Sequence, residues 1–516
     1  MSPHRFVVAI LPVLALLSGI LVLRWRAYRA AALAWLVAVA GAALVYGAGP
    51  VMIASASAKG LSLALLVMLI VWSAVFLYRL ASDLGAVDSI ARRILDSSVD
   101  PLVLALLLAW TFSGFMQGIA GFGVPVAVIA PLMVLAGFSP VRSIAAVMIG
   151  HSWAITFGSM GSSFFAVQLV TGVDGAALGP PLALLFILPI FFTGLSVAHI
   201  VAGWRGVRRA LPLVAAASAL MSALMWALNM LGAAPVSSML PGLFGSFFLW
   251  LVGRGRAANT SALSQDRVTP RLSFGWAFLP YGLLTLLSLL AQVPAVKDTA
   301  ADLQFALRYP GLQSAQGFAV PPQEAYAPIR LVGHPAPLLL LSALLTYLLY
   351  RQRGLWQQGA AGRAWRATVQ QSTGTTVGVA LMVMMALVVA DSGMAAVLAD
   401  AAEELGGSAY LVAAPFIGLL GAFVTGSNTN SNVMFGPLQL FASQALALST
   451  LTIAAAQTLG GSIGSGVAPD KALIGTSVLG GDVSEGEVMR RALPYGLLGV
   501  LLIGLEVLIV TLLGFR

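Results

Sequence analysis

The sequence predicts an all-α polytopic membrane protein, and three observations carry that prediction. Of 516 residues, 59% are apolar and only 9% charged, against roughly 45–50% and about 25% in soluble domains. Mean hydropathy is +0.95. Apolar runs near the length that crosses a bilayer, about 20 residues, recur from one end of the chain to the other. The 27 Lys/Arg and 18 Asp/Glu could not clothe a surface in water. Most soluble enzymes and any ordinary nucleic-acid binder are excluded on that ground. The pI near 10.2 arises from Arg residues set singly or in threes between apolar runs, as in cytoplasmic loops. Zero Cys removes disulfides, thiolate metal sites and Cys nucleophiles together.

Sixteen apolar segments follow in order, near 7–23, 30–49, 60–80, 101–117, 122–138, 142–160, 182–203, 210–231, 235–252, 273–292, 336–350, 375–391, 409–425, 432–447, 450–468 and 491–513. Several are short or broken by Gly, so fewer true crossings are expected, with some pieces re-entrant. The first reads as a retained helix: Arg24, Arg26 and Arg29 follow it and no small-x-small cleavage site is evident. Orientation follows from Lys/Arg in short loops. Loops holding Arg24/Arg26/Arg29, Arg92/Arg93, Arg205/Arg208/Arg209, Arg254/Arg256/Arg267/Arg271, Arg351/Arg353/Arg363/Arg366 and Arg490/Arg491 are expected to be cytoplasmic. The alternate loops are poorer in Lys/Arg, and the outer loop 391–408 has Asp391, Asp400, Glu403 and Glu404 and no Lys or Arg. All sixteen segments then alternate consistently, with both termini outside.

The chain divides into N-terminal helices (1–100), a first repeat core with a broken hairpin (101–203), helices and a polar cytoplasmic linker (204–272, the polar part being 253–272), helices with a long outside loop at 293–335 (273–390), a second repeat core (391–490) and a last helix (491–516). The outside loop carries Asp298, Asp302, Pro310, Pro321, Pro322 and Glu324. Neither polar stretch is large enough for a catalytic domain. Nucleotide-binding, H-E-x-x-H and G-x-S-x-G motifs are absent.

Two places break the apolar pattern in a related way. One is Ser113 to Pro125, with Gln117, Gly118, Gly121, Phe122 and Gly123; the other is Ala422 to Pro437, with Ser427, Asn428, Thr429, Asn430, Ser431 and Asn432 in succession. Both open with Phe-x-x-Gly and reach a Pro soon after. Each precedes a further Gly/Ser-rich helix, around His151–Ser163 and Gln457–Gly466. By loop charge, 101–117 runs outward and 409–425 inward, so the units read as inverted copies. Broken segments in matching positions of two inverted repeats point to a secondary transporter with its site at the repeat interface. Irregular backbone at membrane depth survives only where protein buries it or water reaches it, and its freed N–H groups suit an anion. Gly and Ser that merely allow close helix packing are an even alternative for the first stretch. Six consecutive polar residues in the second are too costly for that role.

At these residues the sequence resembles the lactate permease family. The resemblance rests on Gly-Phe-Gly-x-Pro-Val-Ala at 121–127 and on Thr-Gly-Ser-Asn-Thr-Asn-Ser-Asn-Val-Met-Phe-Gly-Pro-Leu-Gln at 425–439. It extends, more weakly, from about residue 60 to the end. It implies an inverted-repeat secondary transporter with paired hairpins in the bacterial cytoplasmic membrane. The implied function is import of a small monocarboxylate such as lactate or glycolate with a proton. A sodium-coupled or uncoupled permease for another organic anion is the alternative. The implied substrate site is Gly118, Gly121, Phe122, Gly123 and Pro125, then Ser427, Asn428, Thr429, Asn430, Ser431, Asn432 and Gln439. No cofactor, metal or nucleic acid is implied; a homo-oligomer is compatible. This chain departs from the family's pattern at several coupling positions. Gln117 stands where Glu is usual, His151-Ser152 and Gln457-Thr458 where Asn-Thr is usual, and Ser465 where Lys is usual. Lys471 follows Asp470 nearby. A carboxylate and a cation are thereby removed from the expected core.

Intramembrane ionisable groups are functional candidates. His151, mid-segment, is the candidate proton carrier of the first unit. A neutral His bonded across helices is its bland alternative. Lys471 could supply positive charge to a carboxylate or form a loop-edge pair with Asp470. His199 reads as interfacial, Asp391 as solvated, and Glu506 as lying near the outer end of the last helix. A channel would need a repeated ring motif. An enzyme would need a constellation that four scattered His (His4, His151, His199, His334) do not make.

Overall fold

The structure, a computed structural model, describes the chain except for residues 1–2, 24, 87–88, 90–99, 122, 255–271, 294, 297–302, 331–333, 404–406, 481–482 and 515–516. Arg24, Arg92, Arg93, Arg256, Arg267, Arg271, Asp298, Asp302, Glu404 and the site candidate Phe122 therefore lie outside the described residues, with most of the 253–272 linker. Among the described residues, seven helices are long and apolar enough to span a membrane. An eighth span arises if Pro140–Ala154 and Gly158–Thr171, bent by 52° at their junction, count as one. Each predicted segment coincides with helix in whole or in part.

Two helices form the backbone of one side. Helix α3 (Pro50–Asp83) and helix α13 (Ala360–Asp391) run antiparallel, joined by polar pairs along their length. Lys59 Nζ meets Asp391 Oδ2 at 2.6 Å, the Trp72 indole donates to Thr376 Oγ1 at 2.9 Å, Arg79 Nη2 donates to Gln371 Oε1 at 2.6 Å, and Arg363 Nη2 meets Asp83 Oδ2 at 2.8 Å. At 1.5 Å per residue, Lys59 and Asp83 stand about 36 Å apart. That exceeds a hydrocarbon core of about 30 Å, so the two ion pairs sit toward opposite faces. Helices α1 (Pro3–Leu21) and α2 (Ala27–Leu44) complete this bundle through small residues: Ala30, Ala31, Ala34, Ala38 and Ala42 are all fully buried.

The all-α polytopic class holds, and the structure refines three local expectations. First, the outside loop carries short strands. Within the outside loop, β1 (Gln304–Tyr309) pairs antiparallel with β4 (Gln323–Arg330), and β2 (Leu312–Gln313) with β3 (Ala319–Val320). This stretch is too polar to insert and turns at Gly317, φ 88°. Second, 391–408 is not simply a loop, since Met394–Glu403 is helical. Third, Asp391 is not solvated: it is the partner of Lys59, whose side chain is 3% exposed. The β-hairpin covers that pair, with Lys59 Nζ 6.0 Å from the Tyr326 ring centre and Tyr309 Oη 2.6 Å from Ser62 Oγ. Burial, and then the Asp391 carboxylate, push the Tyr326 phenol up from its ordinary range, so it remains a neutral cover.

Candidate functional site

Both interrupted stretches are built from the same sequence of local parts. Helix α4 (Pro101–Ile119) starts at Asp100, whose carboxylate accepts from Leu102 N–H at 3.0 Å, and passes through a π-helical turn at Leu107–Phe112. It ends at Gly121 (φ 61°) and Gly123 (φ 80°), left-handed backbone that glycine adopts without strain. A side chain at Gly121 would collide with Ser159 Oγ. Helix α5 (Val124–Leu135) follows, with Pro125 in its first turn, where no N–H is needed. In the second stretch, helix α15 (Gly407–Thr425) ends at Gly426 (φ 71°). Ser427 caps helix α16 (Asn428–Ala445) by accepting from Asn430 N–H at 3.3 Å. The six-residue polar run is thus a cap and the first turn of a helix. The far tips match as well. Phe138 N–H donates to Met133 O at 3.0 Å, and Leu448 N–H to Ser443 O at 2.8 Å, around the left-handed residues Gly137 and Ala447.

Among the described residues, the first unit's next helix is the one candidate span bent by more than 40° at a short break. Helix α6 (Pro140–Gly150) gives way at His151 to a 3-10 turn (Ser152–Ala154). Ser159, Met160 and Gly161 then take φ of 46°, 57° and 79° before the helix α7 (Gly158–Thr171) proceeds. Three successive left-handed residues, two of them not glycine, hold only because their surroundings determine them. Gly121 packs against Ser159 and Ala234 against Gly161, while the residues on either side of the run are held by the second unit.

Helix α17 (Thr450–Gly466) and the start of α16 cross this break with a dense set of hydrogen bonds. Thr156 N–H donates to Ser462 Oγ at 3.2 Å, Thr156 Oγ1 to Thr458 O at 3.0 Å, and Ser462 Oγ to Ser152 O at 2.6 Å. Asn428 Nδ2 donates to Thr156 Oγ1 at 3.0 Å and to Thr458 O at 3.1 Å. Asn432 Nδ2 donates to Ser163 O and to Thr458 Oγ1, both at 2.9 Å, and Thr429 Oγ1 lies 2.9 Å from Ser163 Oγ. All of these groups are buried. A buried polar atom must find a partner or cost stability, so these residues join the units.

Other candidates separate by position. Gly118 lies against the backbone of Met239, which leaves no room for a side chain. Gln439 donates to Ala414 O and to Gln457 Oε1, at 3.0 and 2.9 Å, and accepts from Tyr410 Oη at 2.6 Å. Gln457 donates to Ser431 Oγ at 3.1 Å. Gln439, Gln457 and Ser431 therefore tie the second unit to itself. Lys471, 3% exposed, donates to Gly426 O at 2.9 Å and pairs with Asp470 Oδ2 at 2.7 Å. A Cβ on Gly123 would lie 3.3 Å from Lys471 Cδ, so this one side chain reaches the glycine breaks of both stretches. His151 is fully buried, with Nδ1 at 2.5 Å from Val147 O.

Five polar atoms here are left over. The carboxamide oxygens of Gln117, Asn428, Asn430 and Asn432 and His151 Nε2 are buried without a hydrogen-bond partner among the described residues. Asn428 and Asn432 still spend their amide nitrogens on the crossing, whereas the Gln117 and Asn430 side chains make no hydrogen bond at all among the described residues. Gln117 stands beside the break, its Nε2 2.8 Å from where a Cβ on Gly158 would lie. No sequence signal marks Thr156, whereas Lys59 stands in the sequence as a lone Lys at the edge of the 60–80 apolar run.

A helical membrane bundle whose buried polar groups gather where two interrupted segments meet has the build of a membrane permease. The family model for L-lactate permease matches residues 5–514, and the chain belongs to that family. It is 28% identical to the L-lactate permease of Salmonella typhimurium, covering 96% of this chain and 94% of that one. It is 27% identical to the L-lactate permease of Escherichia coli K12, with the same coverage, and 26% identical to glycolate permease GlcA of that strain, covering 97% and 95%. The solved YdaH transporter of Alcanivorax borkumensis aligns with a TM-score of 0.48 at 17% identity, covering 90% of this chain and 88% of that one. The chain is accordingly a multi-pass cytoplasmic-membrane transporter of small organic acids, and its family is one of permeases, which are not enzymes.

Proposed function

We propose that this chain is a symporter that imports a small monocarboxylate, such as lactate or glycolate, together with a proton. The names of its relatives support the substrate class. The observation that carries the site is the pair of unpaired carboxamides, Gln117 and Asn430, on the two broken segments. Each offers donors for a carboxylate and an acceptor for a substrate hydroxyl. The starts of α5 and α16 add the positive ends of two helices. Lys471 supplies a cation that is already engaged with Gly426 and Asp470, and so can be recruited or released. With Gln117 in place of a carboxylate, His151 is assigned the proton. Proteoliposome uptake of a labelled carboxylate panel, under imposed proton or sodium gradients, tests the reading. A proton gradient should drive accumulation, and His151→Gln should abolish that while leaving exchange at equal concentrations intact. Accumulation that follows sodium and ignores pH, in both proteins, would replace the proton with sodium.

The two units are proposed to be inverted copies that alternate in exposure. Their matched glycine breaks and hairpin tips support this. Gly118 and Gly426 have no room for a side chain, so Ala120→Cys and Ser427→Cys are the better probes in this Cys-free chain. Substrate should change their labelling by an impermeant thiol reagent in opposite senses. Labelling of both from one side under every condition would contradict inversion.

A further inference from the structure

A cavity of about 980 Å³, lined by none of the residues of the polar crossing, lies between helix α9 (Ile187–Met230) and helix α19 (Glu485–Leu512). It opens at an Arg-rich end of the bundle, which the loop charges make cytoplasmic. Its walls are apolar, formed by Phe192, Leu195, Pro494 and Leu498. At its mouth stand Arg490 and Arg491, both exposed and neither in an ion pair among the described residues, with Glu487 as the one acidic lining residue. The polar side chains within the cavity mostly satisfy one another. His199 Nδ1 lies 2.6 Å from Tyr495 Oη, its ring is 4.8 Å from that of Trp204, and Ser196 Oγ donates to Phe192 O at 2.8 Å. Trp204, 72% exposed, follows Gly203 (φ 61°), where the helix is broken, and sits as an aromatic at a membrane interface does.

We propose that this groove holds an anionic phospholipid of the cytoplasmic leaflet, its headgroup phosphate at Arg490 and Arg491 and an acyl chain along Phe192, Leu195 and Leu498. The volume is near the top of the range of about 300–1,000 Å³ seen for drug-sized ligands. A three-carbon acid would leave most of it empty, and such an acid has nothing to offer the apolar walls. Two unpaired guanidiniums above an apolar slot complement a phosphate above a hydrocarbon chain, and guanidinium binds phosphate oxygens in a two-pronged geometry. Because α9 begins in the first unit and α19 follows directly on the second, a lipid here would touch a helix attached to each.

Native mass spectrometry of the full-length protein, purified with equal phosphatidylglycerol and phosphatidylcholine, tests the assignment. Each near-surface Arg contributes an attraction of roughly fivefold to anionic lipid, so phosphatidylglycerol should be retained about twentyfold or more over phosphatidylcholine. R490Q/R491Q should erase that preference. Leu195→Trp, which fills the slot and keeps both Arg residues, should lose the retained lipid. Inorganic phosphate at millimolar concentration should displace little of it. Equal retention of the two lipids by wild type, an unchanged preference in R490Q/R491Q, or unchanged retention by Leu195→Trp would each overturn the proposal. Full displacement by inorganic phosphate would also overturn it, leaving a site for a free anion.

Discussion

Asp391→Asn should destabilise the folded protein by about 3–5 kcal/mol, the cost of leaving one member of a buried ion pair without its partner. Lys59 is almost wholly enclosed, 2.6 Å from the carboxylate, with the outer β-hairpin above it. Removing the carboxylate's charge strands an ammonium that cannot reach water without opening that cover. Lys59→Met strands the carboxylate instead, and its expected cost is similar. Lys59→Met with Asp391→Leu removes both charges together, and that double variant should recover most of the loss. Thermal unfolding of the four purified proteins in one detergent is the measurement. Against a net stability of about 5–15 kcal/mol, the single variants should lose much of their yield. An Asp391→Asn protein as stable as wild type would show that the pair is open to solvent. The pair belongs to the α3–α13 bundle, so a double variant that folds should still transport.

The two halves of this protein were unequally legible in its sequence, for physical reasons. Membrane helices announce themselves through length and hydropathy, since lipid admits little else. The sixteen apolar segments accordingly meet helices throughout. Glycine at 121, 123 and 426 signalled interruptions of the helices, and the structure gives all three left-handed backbone that few other residues take cheaply. What the pattern could not show was which chain segment lies opposite. Thr156 looks like any helix hydroxyl until Thr458, Ser462 and Asn428 are placed around it from some 270–310 residues away. Asp391 looked solvated because acidic residues follow it closely in sequence, while Lys59 is distant in the chain and adjacent in space. The left-handed run at Ser159 and Met160 carries no local signature. Tertiary contacts impose it against intrinsic preference.

The polar run at 427–432 divides into joining and binding roles, and substitution should separate them. Asn428 spends its amide nitrogen on Thr156 and Thr458, and Asn432 spends its own on Ser163 and Thr458. Replacing either with Leu leaves two or more buried acceptors short of a donor, at about 1–3 kcal/mol each. The expected outcome is a less stable protein that assembles poorly. Asn430 differs. Its side chain makes no hydrogen bond among the described residues, its oxygen is buried and unpaired, and it is 6% exposed. Asn430→Leu removes no internal bond, so the fold and membrane yield should match wild type. If its amide meets the carboxylate or the hydroxyl of a bound hydroxy acid, the loss falls on the complex alone. The same 1–3 kcal/mol then appears as roughly a ten- to hundredfold weaker apparent affinity for uptake. Asn430→Asp is the sharper companion, because a like charge beside a carboxylate substrate should repel it while changing the side-chain volume little. Proteoliposome uptake against substrate concentration, beside thermal unfolding of the same preparations, distinguishes the two roles. Unchanged uptake kinetics in both Asn430 variants would remove Asn430 from the site, and loss of stability in Asn430→Leu would place it with the joining residues.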